Sequence, residues 1–359
     1  MASVIWMESE KRWSMRVSIG GHIRRFTSTR PGVAGKKEVL RKYREFVDGS
    51  GAAPVLVSDA WNQFMQSVID RNGKTDAFYN LDKYGRNYIL PAIGKQIIQN
   101  VTLLDLQNIL SKARPVSKNK EQLSKKTYSN MRAAIMQFVR FCIAAEYMDP
   151  LRGELYIPKT AARKEKVILQ PDAIRRLFSG SSSGDWYLNI FRFGCVTGLR
   201  TGEILGIKTT DIENGILYVR RSVNVRNEIT GGKNDNARRC IYLNNIARRI
   251  IDENVRRNIP LKTEWIFCAK NGGPLSQSTL RNAWIRTAAA RNLPGSVYSL
   301  RHTFISLFKN EMPEPMLKQL VGHSAKMDTF GIYGHVVSGE LQTAARIIDV
   351  NFEKLAGDP

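Results

Sequence analysis

Residues 197–203 read TGLRTGE, and they place an arginine between two glycines. The apolar pattern predicts helices over 185–196 and 200–208, so Arg200 would lie at the opening of the second helix. There the helix dipole and the guanidinium would together favour an anion. Taken alone, Arg200 and Glu203 are more often an ordinary i,i+3 ion pair, and only their sequence context favours a site.

Further segments with chemically active side chains follow this stretch. They are GGK at 231–233 in a turn between two strands, RRCIYL at 238–243, YSLRHTF at 298–304, and LVGHS at 320–324, with Tyr333 ten residues after its histidine. Together they hold fixed cations, a proton donor and a nucleophile. These are the groups that phosphodiester transfer without a metal requires.

The last part of the chain mixes helices and strands. From residue 170 the pattern predicts helices at 171–179, 185–196 and 200–208, strands at 215–220, 222–229 and 239–243, and further helices to about 355. This is typical of a mixed α+β domain with a small antiparallel sheet.

The first 150 residues indicate two other domains. Alternation over 13–29 around Gly20-Gly21 predicts a hairpin, and 35–47 predicts a helix. From Ser58, which we expect to cap a helix, the pattern is helical throughout. The predicted multidomain division is 1–52 for a small sheet-and-helix domain, 56–150 for an all-α domain, 151–169 for a basic linker and 170–359 for the α+β domain.

The charge balance indicates a polyanionic partner. The chain has 55 Lys and Arg against 32 Asp and Glu, a net charge of +23, which favours nucleic acid. A basic membrane-surface protein is the competing class, but no run of about 18 apolar residues is present. The start of the sequence does not resemble a secretory signal, so we expect a cytoplasmic protein.

The order and spacing of these short segments, here called boxes, resemble those of the tyrosine recombinase (phage integrase) family. Its catalytic domain carries an Arg-x-x-Glu/Asp box, a hairpin lysine, a His-x-x-Arg box, a Gly-His pair and a nucleophilic tyrosine. The segments LPAIG at 90–94 and VTLLDL at 101–106 resemble segments of the family's helical core-binding domain. The first fifty residues resemble, less closely, the small arm-binding domains of integrases from prophages and conjugative transposons.

This resemblance implies a role for each box. Tyr333 would attack the scissile phosphate and leave a 3′-phosphotyrosyl link, while Arg200 and Arg301 would bind its non-bridging oxygens. Lys233 would protonate the leaving 5′-oxygen, and His323 would contact the phosphate or orient the tyrosine. Glu203 and His302 would support this site. No cofactor or metal is implied.

One position departs from the family pattern in a way that affects the chemistry. Tyr298 stands where the family has its first histidine, three residues before Arg301. A phenol with a pKa near 10 can donate to a phosphate but is a poor proton acceptor at neutral pH. We include Tyr298 among the catalytic residues, and the base that deprotonates Tyr333 is left open.

Several basic residues are candidates for DNA contact, although solvated surface positions are the alternative for each. They are Lys118, Lys120, Lys125, Lys126, Lys164, Lys166, Arg238 and Arg239. The resemblance also implies double-stranded DNA attachment sites, a homotetramer on DNA, and possible help from an excision factor and a host DNA-bending protein.

The sequence thus predicts a site-specific recombinase that integrates and excises a mobile element. The alternatives are a type IB topoisomerase-like enzyme that relaxes DNA, and a DNA-binding regulator without catalytic activity on the same fold. The histidines lack acidic partners at metal-ligand spacing, which disfavours a metal site. The four cysteines lie in separate apolar segments, as buried thiols do in a reducing compartment.

Overall fold

The structure is a computed structural model of the chain. It describes residues 3–19, 22–48, 54–117, 121–159, 166–182, 184–231, 239–322 and 339–356. The chain divides into two compact units, Met1–Lys164 and Glu165–Pro359.

The first unit begins with a three-stranded sheet and a helix. Strands β1 (Val4–Met7), β2 (Arg12–Ile19) and β3 (His22–Ser28) are antiparallel in that order, and helix α1 (Gly32–Asp48) packs on them. The predicted hairpin and helix are confirmed. Strand β1 was not predicted.

The rest of the first unit is helical. It comprises α2 (Val57–Asn72), α3 (Asp76–Tyr84), a π-helical turn (Gly85–Ile89), α4 (Leu90–Ile93), α5 (Leu103–Lys112) and α6 (Lys125–Ala144). Trp61, Phe64 and Phe138 pack edge-on or tilted against one another in its core, with ring centroids 5.0 to 5.8 Å apart. The prediction that Ser58 caps α2 is wrong, because the helix begins at Val57 and Leu56 holds the cap position without a side-chain bond.

The second unit contains the mixed fold. Its helices are α7 (Pro171–Phe178), α8 (Leu188–Thr197), α9 (Thr201–Leu205), α10 (Asn245–Asn258), α11 (Gln277–Arg291), α12 (Val297–Phe308), α13 (Glu314–Val321) and α14 (Glu340–Ala356). Its strands are β4 (Ile212–Glu213), β5 (Ile216–Val219), β6 (Ser222–Val223), β7 (Ile229–Thr230) and β8 (Arg239–Tyr242). These units confirm the multidomain fold class of small sheet with helix, all-α domain and α+β domain. The exact domain and linker boundaries stay predictions.

The strands pair differently from the expectation. The segment 222–229, predicted as one strand, is a short hairpin in which β6 pairs with β7, whereas β8 pairs with β5 in the sheet β4-β5-β8. Asn227 adopts a left-handed conformation in the turn of that hairpin, with φ of 65°. Because asparagine tolerates this conformation, the chain can reverse inside the predicted strand.

Helix α8 is the centre of the second unit. All of its residues except Arg192 are buried, and it packs against α10 and α12. The last helix, α14, buries Ala344, Ile348 and Phe352, and the Phe352 ring contacts Phe178 and Phe308. Its apolar face is therefore covered within its own unit. Among the described residues, no helix has the length and apolar character needed to cross a membrane.

Candidate active site

Arg200 is positioned by the junction between α8 and α9. Gly198 ends α8 with a left-handed φ of 63°, and a Cβ there would meet the Phe304 ring at 2.4 Å, so both conformation and space favour glycine. The backbone N–H of Arg200 donates to Oε2 of Glu203 at 2.8 Å, and its Nη1 donates to Oε1 at 2.8 Å. The carboxylate of Glu203 thus caps α9 and holds the Arg200 side chain.

Arg301 is held inside the unit by α12. Leu300 and Phe304 anchor the buried face of that helix, and the Arg301 side chain between them is almost wholly buried. Its Nη1 donates to the carbonyl of Gly198 at 2.7 Å, and its Nη2 donates to the carbonyl of Val321 at 2.6 Å. Burial, reinforced by the nearby charge of Arg200, lowers the pKa of Arg301 to about 10, so it remains a cation at neutral pH.

A buried carboxylate lies between two arginines. Glu203 has 2% of its side chain exposed and Arg239 has 6%. Arg239 donates from Nη1 to Oε1 at 3.1 Å and from Nη2 to Oε2 at 3.0 Å, a forked pairing. Burial alone would raise the pKa of Glu203, but the hydrogen bonds and charge of Arg239, with those of Arg200, lower it below its usual value. Glu203 is therefore ionised at neutral pH.

The carboxyl end of α13 receives three guanidinium groups. Arg239 donates to the carbonyl of Leu320 at 2.8 Å, Arg301 to Val321 at 2.6 Å, and Arg200 to Gly322 at 2.6 Å. The last carbonyls of a helix have no partner within it and carry partial negative charge, so cations are favoured there. Three arginines from separate parts of the chain, the α8–α9 junction, β8 and α12, are thereby fixed beside one another.

Gly322 makes this arrangement possible. It terminates α13 with a left-handed φ of 65°, and a Cβ there would lie 2.7 Å from Nη1 of Arg239. Two features therefore favour glycine at this position of the predicted Gly-His pair. The helix ends there in a left-handed conformation, and the guanidinium of Arg239 occupies the space that a Cβ would need.

Tyr298 lies on the same helix as Arg301 but faces solvent. Its side chain is 47% exposed, and its ring meets that of His302 edge-on with centroids 4.8 Å apart. Burial, then Lys166 and Arg301, lower the pKa of His302, so His302 is neutral at pH 7. A half-exposed phenol in this position can donate to a phosphate oxygen.

The structure brings together part of the predicted site. Arg200, Glu203 and Arg301 meet at the end of α13, while Tyr298 and His302 lie on the exposed side of α12. The remaining predicted residues lie outside the described part of the chain: Lys118, Lys120, Lys164, Lys233, Arg238, His323 and Tyr333.

The predicted DNA-contact residues that are described fall into two groups. Lys125 and Lys126, in the first turn of α6, and Lys166 are exposed. The side chain of Arg239, by contrast, is only 6% exposed, and it donates to Glu203 and to the carbonyl of Leu320. Sequence reasoning missed this internal pairing, because Glu203 and Arg239 are 36 residues apart. Within the described ranges no group of His, Cys, Asp or Glu side chains could hold a metal ion.

Comparison with known proteins agrees with this geometry. Residues 168–339 match the model of the phage integrase family. A tyrosine recombinase XerC-like protein of Caldanaerobacter subterraneus subsp. tengcongensis is 22% identical over 88% of this chain and 89% of its own length. The tyrosine recombinase XerH of Helicobacter pylori is 28% identical over 43% of this chain and 42% of its own.

Two solved structures show a similar fold. The Tn1549 transposon integrase in complex with transposon right end DNA has a TM-score of 0.63 at 19% identity, covering 84% of this chain and 100% of that one. A lambda integrase tetramer bound to a Holliday junction has a TM-score of 0.60 at 16% identity, covering 91% and 93%.

The α+β domain of this chain therefore belongs to the phage integrase family of tyrosine recombinases. The protein is a site-specific DNA recombinase, as the sequence predicted. A DNA partner follows from this membership and agrees with the net charge of +23.

Proposed function

We propose that this recombinase cleaves and rejoins DNA through a 3′-phosphotyrosyl intermediate on Tyr333, and that it integrates and excises a mobile element. The observation that carries the proposal is the fixed pair of cations formed by Arg200 and Arg301. Both donate to neighbouring carbonyls at the end of α13, directly before His323. Each guanidinium has five N–H donors, and the bonds described use two of them, so donors remain for a phosphate.

The reaction balances without an external energy source. The Tyr333 oxygen bonds to the scissile phosphorus as the bond from phosphorus to the 5′-oxygen breaks. The phenol releases its proton to solvent, and Lys233 supplies one to the leaving 5′-oxygen, so the protons lost and gained by the DNA and the nucleophile are equal in number. Arg200 and Arg301 stabilise the charge of the pentacovalent state, and His323 contacts the phosphate or orients Tyr333. Attack by a 5′-hydroxyl of the partner strand reverses the step and joins the new ends.

The proximity of several cations suits this chemistry. Arg301 is nearly buried, so its interaction with a phosphate is less weakened by water than that of a surface cation. Tyr298 would add a neutral donor from the exposed side of α12.

The wider assembly follows from the same proposal. The all-α domain and the α+β domain would both contact the core of an attachment site, the former through Lys125 and Lys126, while the first domain holds a separate arm site. The similar proteins seen with a transposon end and as a tetramer on a Holliday junction support a mobile-element substrate and a homotetramer. An excision factor and a host bending protein would control direction, in a bacterial cytoplasm.

Capture of protein-linked DNA tests this proposal. The chain and its Tyr333→Phe variant are incubated with sheared DNA from the source organism and denatured, and the ends of protein-linked fragments are sequenced. Adducts at one or two loci that disappear with Tyr333→Phe are expected. Scattered adducts would favour a relaxing topoisomerase. No adduct, or the same adducts with Tyr333→Phe, would overturn the covalent role of Tyr333 and favour a DNA-binding regulator.

A further inference from the structure

Arg239 contacts two of the sequence boxes and lies at the edge of a third. It is the first residue of β8, directly after the segment 232–238 that carries Lys233. Its guanidinium donates two hydrogen bonds to the carboxylate of Glu203, in the segment 197–203. Its Nε donates to the carbonyl of Leu320, three residues before His323.

We propose that Arg239 is a positioning residue of the recombination site, which fixes Arg200 through Glu203 and anchors the end of α13 that leads to His323. It is not a DNA contact. This inference rests on the proposed function, since it assigns Arg239 a role in that same site.

The hydrogen bonds of Arg239 support an internal role. All three of its guanidinium nitrogens donate within the unit, and two of them form a fork that matches both oxygens of a carboxylate that is itself 2% exposed. A phosphate contact that drew Arg239 away from this fork would leave a buried carboxylate without its partner, which is costly.

The shared partner explains how Arg239 acts at a distance. Oε1 of Glu203 accepts from both Arg239 and Arg200, so the carboxylate cannot shift toward one without changing its bond to the other. Without Arg239, Glu203 would be free to rotate with Arg200. A guanidinium displaced by about 1 Å from a reacting phosphate can lower the rate on the order of 10²-fold.

Gly322 is an independent observation that points the same way. The missing Cβ leaves room for the Arg239 guanidinium against the backbone of Gly322, 2.7 Å from where that Cβ would be. The carbonyl of the same glycine accepts from Arg200. The end of α13 is therefore shaped to receive both arginines.

The test separates binding from cleavage. Arg239→Met and Arg239→Lys are compared with the unchanged chain on a suicide attachment-site DNA, measuring the dissociation constant at several salt concentrations and the single-turnover adduct rate at saturating protein. Arg248→Met is the matched control. Arg248 lies in α10, packs over the ring of Tyr242 in β8, the strand that begins with Arg239, and donates to the carbonyl of Leu243.

A positioning role predicts that cleavage at saturation falls about 10²-fold in Arg239→Met. The dissociation constant and its salt dependence should stay as in the unchanged chain. Arg239→Lys should also be slow, because an ammonium cannot make the fork. Arg248→Met should cleave normally. If Arg239 contacts a phosphate, Arg239→Met should instead make the slope of the logarithm of the association constant against the logarithm of the salt concentration shallower by about 0.9. Cleavage at saturating protein would stay intact, and this result would overturn the inference.

A folding defect has its own control. If Arg239→Met does not fold, the double variant Arg239→Met/Glu203→Gln removes the unpaired carboxylate. It should recover the native circular dichroism spectrum but remain slow, and recovery of full cleavage would refute the positioning role. If the unchanged chain forms no adduct, the proposed function fails. If it does and the Arg239 variants cleave equally fast, only this inference fails.

Discussion

Replacement of Gly322 by alanine should destabilise the second unit through two separable effects. The first is the left-handed backbone, with φ of 65°, which costs a residue with a Cβ about 1 kcal/mol. The second is the position of that Cβ, 2.7 Å from Nη1 and 2.9 Å from Cζ of Arg239. The guanidinium would have to leave Glu203 or Leu320.

Gly180→Ala isolates the first effect. Gly180 has a similar φ of 69°, and a Cβ there would meet no atom within 4 Å. The loss of a hydrogen bond to a charged group costs about 1.5 to 3 kcal/mol. Gly322→Ala should therefore lower the free energy of unfolding by that amount more than Gly180→Ala does.

Amide hydrogen exchange gives the free energy for the second unit alone. Peptides from α8 and α12 in the full chain report its opening, whatever the helical domain does. Equal losses in the two variants would show that Arg239 moves away freely. Arg239 would then not be part of a rigid cluster with Glu203 and the end of α13.

Three further variants or reagents give distinct outcomes. Because folding lowers the pKa of Glu203, its carboxylate stabilises the folded state at pH values above the unfolded pKa near 4.3. This stabilisation is lost as the pH falls through the lowered pKa. The stability gap between the unchanged chain and Glu203→Gln should therefore shrink on acidification in urea titrations. Burial raises the pKa of Cys142 and Cys195 to about 12, so mass spectrometry after iodoacetamide at pH 8 should find native-state alkylation mainly on the partly exposed Cys240. Thr102→Ala removes the capping box of α5 and should cost the helical domain about 1 kcal/mol by exchange, with α12 peptides unaffected.

Regular local patterns allowed much of the fold to be predicted. The hairpin of β2 and β3 was predicted because alternation and a Gly-Gly turn both act over neighbouring residues. Strand β1 was missed because VIWM at 4–7 is continuously apolar and too short to show a period. Similarly, the chain reversal at Asn227 depends on one left-handed residue inside an otherwise strand-like segment.

The candidate site was predictable to the extent that its parts are local. The boxes around Arg200 and Arg301 follow from short motifs, and the structure brings those two arginines to the same helix end. The pairing of Arg239 with Glu203 was not predictable, because an exposed arginine and a buried one look the same in a basic strand. What distinguishes Arg239 is the tertiary approach of α9 and α13 to β8.

Identification of the residue that carries the DNA tests the covalent role of Tyr333. A suicide attachment-site substrate traps the adduct, nuclease and trypsin reduce it to a peptide with a short nucleotide, and mass spectrometry locates the modification. The nucleotide is expected on Tyr333. A nucleotide on Tyr298, a half-exposed tyrosine on the same helix as Arg301, or on any other residue would show that Tyr333 is not the nucleophile.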